Sequence, residues 1–90
     1  FWKANQLEPQ GIEWGDGLRC IGGSLIRLGT KTNAAGVARY PEAGNAPISI
    51  RGQTPPRSGL VGYYQTTFRN AASYCTPNTF NSTNGVRVVW

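Results

Sequence analysis

The spacing of glycine and proline constrains this chain most. Twelve glycines and six prolines are spread through ninety residues, so no uninterrupted window of helical length has apolar residues three and four apart. Only strand-length runs fit between these breaks. In Leu60–Arg69, Tyr64, Thr66 and Phe68 share one face while Tyr63, Gln65, Thr67 and Arg69 share the other. Val86, Val88 and Trp90 likewise line one side of the last run.

The same reading predicts strands over 1–7, 12–14, 18–21, 24–32, 37–40 and Ile48–Arg51. The punctuation between them is Glu8-Pro9-Gln10-Gly11, Gly15-Asp16-Gly17, Gly22-Gly23, the hairpin connection "TNAAG" at 32–36, and Pro41. About seven short strands with such turns predict an all-β fold. The expected architecture is a small antiparallel β-sandwich, jelly-roll or immunoglobulin-like, with residues 1–90 as one domain. A chain this short buries only somewhat more than ~60% of its unfolded surface, so its core is small. With no methionine present, that core must come from aliphatic and aromatic residues.

The net charge is +5 and is carried mostly by arginine. Such a balance favours acidic partners, whether nucleic acid, anionic polysaccharide or a membrane surface. The arginines fall one per segment, without a basic run, which argues against specific nucleic-acid recognition. No stretch approaches the ~18 apolar residues of a membrane span.

Histidine is absent and the carboxylates are limited to Glu8, Glu13, Asp16 and Glu42, each in or beside a turn. A serine or cysteine nucleophile would lack its usual base, and zinc and haem ligand patterns are missing. No catalytic residue, no metal and no cofactor is expected, and the chain reads as a non-enzyme. The densest polar cluster is "EWGDGLRC" at Glu13–Cys20. Glu13 and Asp16 could supply oxygen ligands to calcium, but two acids are few. The favoured reading is a tight turn in which Asp16 caps backbone amides or pairs with an arginine such as Arg69.

Sugar binding is the other candidate chemistry. Aromatic faces attract the C–H side of a pyranose while amide and guanidinium groups bind hydroxyls, and Tyr63, Gln65 and Arg69 on one strand face form the natural trio. Tyr64, Trp14 and Trp90 are the further stacking candidates, and in so small a domain all of these rings compete with a role in the core. Asn81-Ser82-Thr83 is a glycosylation sequon.

Cys20 and Cys75 form either a disulfide or a pair of buried thiols. A bridge would close a loop of roughly 55 residues and stabilise the fold by about 4 kcal/mol in the chain-entropy model. It would also place the protein outside the cytoplasm.

The segments "GDGLRCIGGSLIRLG", "YYQTTFRNAASYC" and "FNSTNGVRVVW" together resemble the carboxy-terminal part of a β-sandwich module found at the tails of large secreted bacterial proteins. The resemblance covers about Gly15 to Trp90. It implies a Cys20–Cys75 bridge and framework roles for Asp16, Arg19 and Arg69. Modules of this type have mostly no assigned activity and carry more chain before the matched part. The resemblance therefore implies that 1–90 is the C-terminal part of a larger chain, an incomplete sandwich completed by another chain or segment. The function expected is an extracellular or cell-surface binding and assembly module, joining other protein chains by strand addition or homo-oligomerisation, with polysaccharide binding as the alternative.

Overall fold

A computed structural model describes residues 1–72 and 76–90. The fold is all-β with one short helical turn: β1 (Trp2–Trp14), β2 (Gly17–Arg27), α1 (Ile48–Arg51), β3 (Val61–Gln65), β4 (Thr67–Arg69), β5 (Phe80–Ser82) and β6 (Val86–Val89). Two antiparallel sheets result. One has the order β2-β1-β3-β6, and the other pairs β4 with β5.

The long β1–β2 hairpin turns at Gly15-Asp16, with Gly15 at φ 65°. Glycine takes this left-handed conformation at the first position of a two-residue hairpin turn without steric cost. Two breaks expected from the sequence are irregularities inside these strands. Between the pairs Leu7↔Ile21 and Ile12↔Arg19, β1 carries Glu8–Gly11 as extra residues. Pro9, which has no N–H for a ladder, falls in that bulge, as does Gly11 at φ 71°. Gly22-Gly23 does not end β2 either: a register shift between Ala4 and Gln6 absorbs it, with Gly23 at φ 71°.

Three further expectations are corrected. Ile48–Arg51 forms a helical turn, started by Pro47 at φ −54° and closed by the Gly52 amide on Ile48 O at 2.7 Å. Its alternating apolar residues find no sheet edge, and Ile50 stays exposed. Leu60–Arg69 is not one strand, because Thr66 is a corner where the chain leaves the four-stranded sheet and enters the two-stranded one. Thr83 holds the corner from both sides, its amide donating to Thr66 O at 2.9 Å and its Oγ1 accepting from the Thr66 amide at 3.1 Å. At 37–40 there is no strand, only an isolated bridge between Ala34 and Val37.

The core is thin. Among the described residues Ala4, Ile21 and Leu28 are the buried hydrophobic ones, and the Cα trace spans 42 × 32 × 16 Å. The radius of gyration of 13.8 Å exceeds the about 12 Å expected for a compact chain of this length. Val86 and Val89, on opposite faces of the edge strand β6, are each 57% exposed.

Candidate functional site

The turn that joins β1 to β2 fixes one wall of a cleft between the sheets. The Asp16 amide donates to Phe80 O at 2.9 Å, tying β5 to that turn, and Trp14 meets the edge of Phe80 with ring centroids 5.9 Å apart. Beyond the Thr66 corner, β4 carries Phe68 and Arg69 along the same opening. The far wall is the end of β2 and the loop after it, with Arg27 and Lys31. Together with Trp2 these residues line a cleft of about 770 Å³, within the size range of small-ligand sites.

Its electrostatics are one-sided. Arg27, Lys31 and Arg69 line the cleft, and among the described residues no carboxylate does. Arg27 stacks on Trp2 with its guanidinium 4.9 Å from the ring centroid, and Arg19 stacks on Trp14 at 5.0 Å. One face of each indole is thus already used by a cation, each stack contributing about 0.5–1 kcal/mol at exposed sites. Phe68 is the most exposed ring of the cleft, at 43%. Lys31 is held by Glu42 at 3.0 Å. The Phe1 nitrogen donates to Gly29 O at 2.9 Å.

The sugar-binding trio is not brought together. Gln65 is 5% exposed and fully engaged: its Oε1 accepts from the Cys20 amide at 2.9 Å, and its Nε2 donates to Leu18 O at 2.8 Å and Thr83 O at 2.7 Å. Its amide is a structural brace with no group left for a ligand. Tyr63 is half-buried in β3 between Ala4 and Arg87, while Arg69 lies on the other sheet, past the corner. Trp90 and Tyr64 are committed to each other through a 2.7 Å bond from Trp90 Nε1 to Tyr64 Oη. Of the candidate aromatics only Trp14 lines the cleft.

Asp16 is not paired with Arg69. Its Oδ1 accepts from both the amide and the hydroxyl of Thr76, at 3.1 and 2.7 Å. Arg69 instead sits exposed at the cleft. The alternative reading of Asp16, as a cap on a backbone amide, is the one the geometry supports. No group of three or more His, Cys, Asp or Glu comes together among the described residues. Cys20 is half-buried, and the bridge expected to Cys75 lies outside the described residues.

Arg69 is far in sequence from Arg27 and Lys31, so reading the charges segment by segment disperses what the fold gathers. Phe68 and Arg69 could have been placed only by recognising Thr66 as a corner. No family model matches the chain, and no curated protein or solved structure does. Among the described residues no helix is long and apolar enough to cross a membrane.

Proposed function

We propose that this chain is a non-catalytic binding and assembly module of a secreted or cell-surface bacterial protein, joining other protein chains at its open β6 edge. The exposed area carries this reading. The chain presents 6193 Å² to solvent, whereas a compact monomer of 9.7 kDa presents about 5,100 Å². The excess, roughly 1,000 Å², is close to the about 800 Å² that each partner covers in a standard protein contact.

The edge has the features a partner strand needs. Trp90 donates its amide inward to Leu60 O at 2.9 Å. Alternation along the antiparallel ladder therefore turns the main-chain groups of Arg87 and Val89 outward. Beside them Val86, Val88, Trp90, Leu28, Tyr40 and Ile48 line an apolar groove of about 380 Å³. Strand addition combines main-chain hydrogen bonds with side-chain burial in such a groove. A second copy is the partner of choice, because like edges pair antiparallel about a twofold axis.

Light scattering tests this directly. The wild-type chain is expected to be dimeric at micromolar concentration, and Arg87→Pro, which removes an outward N–H without touching the β3 ladder, to be monomeric and still folded by circular dichroism. A wild-type chain that stays strictly monomeric sinks the reading. The extracellular setting rests on the resemblance and on the proposed Cys20–Cys75 bridge; intact mass of natively purified protein must then rise by one pair of hydrogens on reduction, and an unchanged mass rejects the bridge.

A further inference from the structure

We infer that the cleft between the two sheets binds an acidic oligosaccharide, with Arg27, Lys31 and Arg69 holding its anionic groups and Phe68 stacking on a sugar face. The inference is independent of the β6 edge, which none of these residues occupies. Three cations line the cleft and no carboxylate among the described residues does, which gives it a positive potential that favours anions. Lys31 has Glu42 as a counter-ion at 3.0 Å. For Arg27 and Arg69 no carboxylate lies within ion-pair distance among the described residues, and both are exposed to solvent. Arginine's planar fork suits carboxylate and sulfate oxygens, binding them through charge-assisted, bidentate hydrogen bonds.

The rest of the lining favours sugar over bases. Single-stranded nucleic acid is held by successive bases stacked on successive aromatic faces. Here the indoles of Trp2 and Trp14 each already carry a guanidinium group on one face, and Phe68 is the most exposed ring of the cleft. Thr30, Thr32, Asn33 and Thr67 complete the wall, and their short hydroxyl and amide groups match the hydroxyls of a glycan. The cleft thus offers one stacking face, a charged rim and neutral hydrogen-bonding groups, a combination suited to alternating apolar and polar sugar surfaces.

The test is titration of the whole chain, followed by tryptophan fluorescence, with four probes: an oligogalacturonide, the same oligomer with its carboxylates reduced to alcohols, a sulfated oligosaccharide, and an oligothymidylate. Binding of either anionic sugar, with the reduced oligomer at least about tenfold weaker, is the expected result. Which of the two binds identifies carboxylate or sulfate as the anion. Arg69→Gln is expected to weaken binding about tenfold or more, as the loss of one charge-assisted bond implies, and Phe68→Ala to weaken it as well. Arg57→Gln removes the same charge outside the cleft and controls for general attraction; circular dichroism confirms that each variant is folded. Failure of both acidic sugars to bind, equal binding of the reduced oligomer, tighter binding of the oligothymidylate, or equal losses for Arg57→Gln and Arg69→Gln would each overturn the inference. None of these outcomes depends on whether the chain dimerises.

Discussion

Gln65 braces Cys20 across the sheet, its Oε1 accepting the Cys20 amide at 2.9 Å while the same side chain donates to Leu18 O and Thr83 O. One buried amide therefore satisfies three backbone groups that the ladders do not reach, linking β2, the end of β3 and the segment before β6. Gln65→Leu keeps the bulk and strands all three groups, each costing about 1–3 kcal/mol when buried. We expect a loss of about 3 kcal/mol and a fall in Tm of more than about 10 °C, measured by thermal denaturation. Gln65→Glu should be similarly harmful, since it retains the acceptor for Cys20 and loses both donors.

Asp16 and Thr76 should be coupled, and Asp16 and Arg69 should not. The paired bonds from the Thr76 amide and hydroxyl make Asp16→Ala cost about 2 kcal/mol, with Asp16→Asn milder because its oxygen can still accept. A double-mutant cycle by urea denaturation is expected to give a coupling of about 1 kcal/mol or more for Asp16/Thr76, and additivity within about 0.5 kcal/mol for Asp16/Arg69. A large Asp16/Arg69 coupling would restore the ion pair that the geometry rejects.

Gly15 and Gly36 both have positive φ, 65° and 79°, but their surroundings differ. A Cβ on Gly15 would run into the carbonyl oxygen and ring of Phe80, while nothing lies within 4 Å of one on Gly36. Gly36→Ala should therefore cost only the backbone strain of about 1 kcal/mol. Gly15→Ala should cost more than about 3 kcal/mol, because the carbonyl that must give way is the one holding β5 to the hairpin. Equal losses on denaturation would mean that β5 does not pack where the cleft requires it.

The fold's β character was legible from local pattern, and so was the turn at Gly15-Asp16. Both follow from neighbours in the chain: period-two alternation and a glycine where a hairpin needs positive φ. Legibility failed at Glu8–Gly11 and at Gly22-Gly23. A proline or glycine pair can end a strand or bulge it, and the choice depends on whether a partner strand continues past the irregularity. In β1 and β2 each strand is that partner for the other. Ile48–Arg51 failed for the opposite reason, since an alternating run without a sheet edge beside it has no ladder to join.

The site was less readable than the fold. Tyr63, Gln65 and Arg69 do alternate, yet Thr66 carries no mark that the chain changes sheets there. After that corner Arg69 lines the same cleft as Arg27 and Lys31, and Gln65 turns to brace the backbone. Composition and short-range pattern determined that this chain makes strands, carries excess positive charge and has little to spend on a core. Tertiary structure alone decided which strands share a sheet, which cations converge and which edge stays open, because each depends on pairing between residues distant in sequence, where local propensity carries no information.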